Sequence, residues 1–284
     1  MLFTVHHVAG SGGSIVSQVI SAATNSILIS EINPFASIRN KNIEPFYDPT
    51  SILWHLTYNS KEISANNKLK YFFFQLGISI NHAQEFSRNL VIRDHTHSTF
   101  NFLGNDIVLN NEKIDSLFLD PLKLFYKVNS SEINFPKAKP ILSIRHPLDN
   151  YISARKRQWL GAYCGLNLNI ENYCKSLIKL QKHMKTKENA VVIRYEDLCL
   201  GMEKVLASVF KDLEVEYKIP TLVDINKNKV TGKSGRKSVD ISLRDRMISE
   251  VDKDLIDEIN QSLSYNEYCN MNNYNINYKE YPII

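Results

Sequence analysis

The sequence predicts an α/β fold, three layers α/β/α around a central, mostly parallel sheet. Three observations carry that expectation. A strand, a small-residue loop and a helix follow one another at the amino terminus, short buried-strand patterns then alternate with helical ones, and later strands run directly into helix starts. The first unit reads Val5-His6-His7-Val8-Ala9-Gly10-Ser11-Gly12-Gly13-Ser14-Ile15-Val16. Beyond the loop, Ile15, Val19, Ala22 and Ala23 share one helical face. The backbone N–H groups of such a loop and first turn point at one spot, and the helix dipole favours negative charge there. Glycines let an anion approach the main chain closely. A Gly/Ser loop is also an ordinary way to turn a chain, so by itself it leaves cradle and turn equally open. It is not a kinase or ATPase loop, which needs a lysine and a hydroxyl after its last glycine. The first lysine here is Lys41, and the only earlier arginine is Arg39.

The remaining elements follow in order. Ser26-Ile27-Leu28-Ile29-Ser30 reads as a second buried strand that ends at Glu31, and residues just past the carboxyl ends of parallel strands face ligands. Residues 45–88 read mostly as helix, with Tyr71 to Phe74 as core packing. A third strand, Asn89 to Arg93, runs into Asp94-His95-Thr96-His97, a strand end suited either to proton chemistry or to simple hydrogen bonding. Residues 99–135 read as an insertion, with turns at Gly104-Asn105-Asp106 and Asn110-Asn111 and a helix near 116–126. Lys139 to Ile144 is a compact strand leading into Arg145-His146-Pro147-Leu148-Asp149-Asn150-Tyr151-Ile152-Ser153. Pro147 suits a first helical turn, Asp149 complements the helix amino end, and Arg145 can present forked donors to a phosphate, with the Ser153 hydroxyl adding another. Ile170, Tyr173, Cys174, Leu177, Ile178 and Met184 form an amphipathic helix. A strand at 190–195, a helix around 202–213, a basic glycine loop at 230–238 and a charged helix at 242–263 follow. The Asn- and Tyr-rich stretch from Asn266 to Tyr281 shows no clear pattern.

With 284 residues, 43% hydrophobic and 23% charged, the chain has the composition of an ordinary globular protein. A formal charge of +4 suits an enzyme of polyanionic small molecules and falls short of a nucleic-acid binder. Cys164, Cys174, Cys199 and Cys269 form no Cys-x-x-Cys pair, so no metal site is expected; buried thiols are the expectation, with a Cys164–Cys174 disulfide as a minor alternative. Neither a secretory signal nor a membrane span is evident, which places the expected protein in the cytoplasm. Without repeats or linkers, one domain over 1–284 is expected, with insertions at about 35–88 and 99–135 forming the acceptor side.

Taken together, the segments resemble the sulfotransferases that use 3'-phosphoadenosine-5'-phosphosulfate (PAPS). That family has an amino-terminal strand-loop-helix, an Arg-x-Pro followed by a serine, a Tyr-Glu-Asp-Leu segment and a late basic glycine loop. The chain carries these in order at Gly10–Ser14, Arg145–Ser153, Tyr195–Leu198 and Thr231–Arg236. The resemblance implies a P-loop-like strand-loop-helix and PAPS as sulfuryl donor, with no metal and a small-molecule or glycan hydroxyl as acceptor. It implies that Gly10, Ser11, Gly12, Gly13, Ser14 and Ile15 hold the 5'-phosphosulfate, and Arg145 and Ser153 the 3'-phosphate. It places Tyr195 near the adenine and Ser234, Gly235 and Arg236 in a loop that closes over the nucleotide. His95 occupies the place of the family's general base, ahead of Glu31 and then His97, and Arg93 supplies positive charge.

One position departs from the family. A lysine commonly precedes the loop's Ser-Gly, and this chain has Gly10 there. Arg93, then Arg155 or Arg157, are the candidate substitutes; the alternatives are an inactive nucleotide-binding protein or a phosphotransferase. The segment Ala154 to Trp159 is either a cleft for an acidic acceptor or a solvated helix face.

Overall fold

The computed structural model describes residues 1–32, 65–94, 107–109, 112–114, 119, 122, 136–158, 160, 167–228, 230 and 251–277. His95, His97, Trp159, Cys164, Ser234, Gly235 and Arg236 lie outside these residues, as do all of 35–64 and most of 99–135.

Five strands form one parallel sheet: β1 (Leu2–His7), β2 (Ser26–Ile32), β3 (Asn89–Asp94), β6 (Ala138–Ile144) and β7 (Val191–Arg194), in spatial order β2-β3-β1-β6-β7. β4 (Ile107–Leu109) and β5 (Glu112–Ile114) make a separate antiparallel pair; the turn expected at Asn110-Asn111 lies outside the described residues. Every residue of β1 is buried, as expected of a central parallel strand covered on both faces.

The helices are α1 (Gly13–Ala23), α2 (Ala65–Glu85), α3 (Pro147–Lys156), α4 (Ile170–Thr186), α5 (Tyr195–Leu200), α6 (Met202–Leu213), α7 (Leu222–Lys227), α8 (Lys253–Gln261) and α9 (Leu263–Met271). They divide between two cores. Phe3 and Val5 of β1 pack with Ile15, Val16, Val19 and Ile20 of α1 and with Leu206, Val209 and Phe210 of α6. Leu2 lies in the other core, with Phe73 of α2, Leu148 and Tyr151 of α3, Tyr173 and Leu177 of α4, and Tyr265 of α9. The sheet therefore carries helices on both faces, the three-layer arrangement that alternating strand and helix patterns predict.

Period-2 alternation explains that split and also positions the site. β1 and β6 are neighbours, yet α1, which follows β1, covers one face and α3, which follows β6, covers the other. Adjacent parallel strands whose following helices diverge leave a crevice at their carboxyl ends, where ligands of open α/β sheets bind. Gly10–Ser14 and Arg145 both sit at that edge.

The carboxyl-terminal part differs from the sequence expectation. Of the helix expected over 242–263, residues 242–250 lie outside the described residues and α8 fills most of the rest; it stops at Gln261, and Ser262 caps a further helix, α9, by accepting from the Tyr265 N–H at 3.0 Å. Tyr265, Tyr268, Cys269 and Asn272 fall at helical spacing and are buried, so the Asn/Tyr stretch is part of the core. Of the aromatic cluster in α2, Phe73 is buried and Phe74 exposed. Cys174 and Cys269 are buried and Cys199 half-buried, while Cys164 lies outside the described residues.

Candidate functional site

The loop between β1 and α1 is shaped from within. Gly10 and Gly12 both adopt φ +85, a region that L side chains rarely enter. Ser11 is fully buried; its N–H donates to the Val8 carbonyl at 3.2 Å, and its hydroxyl reaches the Val8 carbonyl at 2.8 Å and that of Ser143 at 3.1 Å. The Ser143 hydroxyl returns a bond to the Ser11 carbonyl at 2.7 Å, tying the loop to β6. Ser11 thus spends its donors on holding the loop.

No side chain caps α1, whose cap residue is Gly12, so the amides of Gly13, Ser14 and Ile15 lie in the first turn, where helical N–H groups lack intrahelical partners. Packing against the loop is tight. A Cβ on Gly12 would fall 2.3 Å from Tyr195 Cδ2, and one on Gly13 would fall 2.2 Å from His7 Cγ. The glycines therefore do two things: they bare the backbone and let two aromatic rings support it from beneath.

His7, one of those rings, is buried below Gly13 and donates Nδ1–H to the Val8 carbonyl at 3.2 Å. Burial lowers its pKa to about 4, with nearby Arg93 and His6 acting in the same direction and Asp94 and the Val8 bond opposing. It is neutral at pH 7 and brings no charge to the loop. On the opposite face of β1, His6 Nδ1 is bonded to Asp94 Oδ2 and its Nε2 lies 2.9 Å from Thr4 Oγ1, which anchors the end of β3.

Charge arrives from β3 and β6. Arg93, only 2% exposed, donates from Nε to Ser30 Oγ at 2.9 Å and from Nη1 to Ser14 Oγ at 2.7 Å. A guanidinium is thereby placed at the amino end of α1. Arg145 donates from Nη1 to the Gly10 carbonyl at 3.1 Å and lies over the Tyr195 ring, 5.3 Å from its centroid. Its Nε is buried without a hydrogen-bond partner. Two turns into α3, Ser153 Oγ lies 3.0 Å from where a Gly10 Cβ would stand. Tyr195 is thus wedged between Gly12 and Arg145.

The junction presenting Arg145 is held by a buried carboxylate. Glu196 accepts from the His146 N–H at 2.8 Å and from the Tyr274 hydroxyl at 2.9 Å. Burial raises its pKa, against the pull of those bonds and of Arg145. His146 Nε2 donates to the Asn275 carbonyl at 3.2 Å, and Arg194 donates to the carbonyls of Asn272 and Asn273 at 2.7 and 3.0 Å. The carboxyl-terminal stretch therefore braces the back of the Arg145 turn, a function that sequence reasoning missed.

The structure brings Gly10, Gly12, Gly13, Ser14, Arg93, Arg145, Ser153 and Tyr195 into one neighbourhood. Glu31 lies in β2 at a register irregularity between Ser30 and Ile32, the residues paired with Arg93 and Asp94. Arg155 and Arg157 are exposed near the far end of α3. Arg155 pairs with Asp252 at 3.1 Å beside a cleft of about 400 Å³ that Asp254 and Glu258 also line. Those carboxylates make it a poor match for an acidic acceptor. Among the described residues, no group of His, Cys, Asp and Glu side chains is arranged to hold a metal ion, and no helix is long and apolar enough to cross a membrane.

No protein-family model matches the sequence, and neither does any curated protein. Among solved structures, the chain is similar to the sulfotransferase domain of the Synechococcus PCC 7002 olefin synthase, at 13% identity and a TM-score of 0.47, covering 97% of this chain and 94% of that one. It is also similar to the sulfotransferase domain from the curacin biosynthetic pathway, at 16% identity and a TM-score of 0.47, covering 97% and 98%.

Proposed function

We propose that the chain is a cytoplasmic sulfotransferase of one domain that carries a sulfuryl group from PAPS to a hydroxyl of a carbohydrate or another small polar acceptor. One observation carries the reading. Arg145 Nη1 lies 3.1 Å from the Gly10 carbonyl, with Ser153 against the same residue, so two anion-binding elements remote in sequence meet at the sheet's crevice. An uncapped helix start, glycines backed by rings and a buried guanidinium nitrogen without a partner are what a doubly phosphorylated nucleotide needs.

In this reading the loop from Gly10 to Ile15 holds the 5'-phosphosulfate through its remaining amides, with Ser11 shaping it from within, Arg145 and Ser153 hold the 3'-phosphate, and Tyr195 borders the adenine. Ser234, Gly235 and Arg236 close over the nucleotide, and the 35–88 and 99–135 insertions receive the acceptor. Bound PAPS supplies the sulfuryl group: a bond forms from sulfur to the acceptor oxygen as the bond from sulfur to the 5'-phosphate oxygen breaks. His95 takes the acceptor's proton, with Glu31 and then His97 as the alternatives for that role. Because Arg93 donates to Ser14 Oγ, the serine's own proton is left for the anion, and the guanidinium adds its field to the helix dipole where negative charge develops on the leaving oxygen. Positioning and electrostatics supply the catalysis, by analogy with phosphoryl transfer.

Calorimetry with adenosine 3',5'-bisphosphate against ATP and magnesium tests the reading, followed by transfer from radiolabelled PAPS to pools of glycans and small polar metabolites. Bisphosphate binding and a labelled product are expected. Tight ATP binding without bisphosphate affinity would return the chain to the phosphotransferases. Bisphosphate binding with no transfer would leave a nucleotide-binding protein.

A further inference from the structure

Asn150 lies in α3, one turn before Ser153 on the same face. Its side chain is 1% exposed, and neither Oδ1 nor Nδ2 has a hydrogen-bond partner. A buried amide left unpaired at both ends costs stability and contributes no packing that an apolar residue of the same shape would not. Such a group is retained where a ligand completes it. The direction in which it points is given by Gly10, whose Cβ position would lie 2.9 Å from Asn150 Oδ1 and 3.0 Å from Ser153 Oγ, while Arg145 binds the carbonyl of the same glycine. Asn150, Ser153 and Arg145 therefore converge on one residue of the loop, and the unpartnered Arg145 Nε adds a second unspent donor to the group.

We propose that Asn150 is a further binding residue of this site, its carboxamide donating to the phosphate held by Arg145 and Ser153. The inference rests on the sulfotransferase reading, which assigns that phosphate to the 3' position. A half-turn about the last side-chain torsion exchanges the two ends of the amide, so Nδ2–H can face Gly10 without moving α3. A neutral donor screened from water gives a strong bond to a phosphate and adds no charge to be buried when the site is empty.

The test compares wild type, Asn150→Leu and Asn150→Asp by calorimetry with adenosine 3',5'-bisphosphate and with 5'-AMP, alongside the thermal midpoint of each ligand-free protein. Asn150→Leu keeps the shape and removes both unpaired groups. It is expected to weaken bisphosphate binding by about tenfold to hundredfold, the range for a hydrogen bond to a charged group. AMP binding and the ligand-free midpoint should stay level or, for the midpoint, rise. Asn150→Asp places a like charge beside the phosphate and should weaken the bisphosphate further, again with AMP spared. Unchanged bisphosphate affinity in Asn150→Leu, equal losses for both nucleotides, or a lowered midpoint with affinity intact would each overturn the assignment. Wild-type protein that fails to bind the bisphosphate would instead remove the sulfotransferase reading beneath it.

Discussion

Acidification should destabilise this protein through His7, and the size of the effect follows from its burial. The imidazole is neutral and enclosed beneath Gly13, with a pKa of about 4 against an ordinary value of 6.5. Between those values the unfolded chain binds a proton that the folded chain refuses, so the stability associated with neutral His7 is complete above pH 6.5 and is lost as pH falls toward 4. At 1.36 kcal/mol per pH unit the full loss is about 3 kcal/mol, of which about 2 kcal/mol has gone by pH 5. The comparison is between wild type and His7→Gln, which has no proton to gain, by urea denaturation at pH 7.5, 6.0 and 5.0. Wild type should lose about 2 kcal/mol more than the variant between the first and last conditions. Equal losses in the two proteins would show that the imidazole under the loop is not the group being protonated.

The other predictions concern the turn that presents Arg145 and the proton that leaves the acceptor. Arg145→Ala should weaken adenosine 3',5'-bisphosphate binding by about 1.5–3 kcal/mol, the range for hydrogen bonds to charged groups; calorimetry showing unchanged affinity would remove Arg145 from the site. For Glu196 burial raises the pKa, so stability is lost as pH rises above the ordinary glutamate value of 4.5. Glu196→Gln should therefore gain on wild type in thermal midpoint as pH rises from 4.5, whereas a gap that stays constant with pH would show that burial does not shift Glu196. His95→Ala should lose turnover and keep bisphosphate affinity; retained turnover would pass the base role to Glu31 or His97.

The parts of the fold that sequence reading reached are those with a strong local signal. A buried strand followed by Gly10-Ser11-Gly12-Gly13, and Pro147 at the head of α3, are legible because glycine and proline restrict the backbone directly. The carboxyl-terminal helix was missed because its polar composition hid the spacing of Tyr265, Tyr268, Cys269 and Asn272, which alone would have marked a buried face. At the site, residue types were legible and their contacts were not. That Ser11 reaches the Ser143 carbonyl, or that Glu196 reaches the His146 N–H, depends on pairings across 132 and 50 positions that no local pattern encodes. Asn150 is illegible for the same reason, since in sequence it is an ordinary helix residue and only the fold leaves both ends of its amide without partners.

Under the proposed function, the absence of a lysine at Gly10 has a steric reason. At Gly10 the backbone is at φ +85, and a Cβ there would stand 2.9 Å from Asn150 Oδ1 and 3.0 Å from Ser153 Oγ. A side chain at this position meets both a strained backbone and the face of α3, at a combined cost of about 2 kcal/mol or more. The close approach is the same contact that brings Arg145 to the Gly10 carbonyl, so α3 and a loop lysine compete for one space. Positive charge reaches the helix start by another path, through Arg93 and the Ser14 hydroxyl. Gly10→Lys should accordingly lower the thermal midpoint and the bisphosphate affinity together and bring no gain in transfer rate. Arg93→Ala should lower the rate with bisphosphate binding largely kept. A Gly10→Lys protein of normal stability that transfers faster than wild type would show that α3 yields to the side chain, and that the cation was lost for a reason other than space.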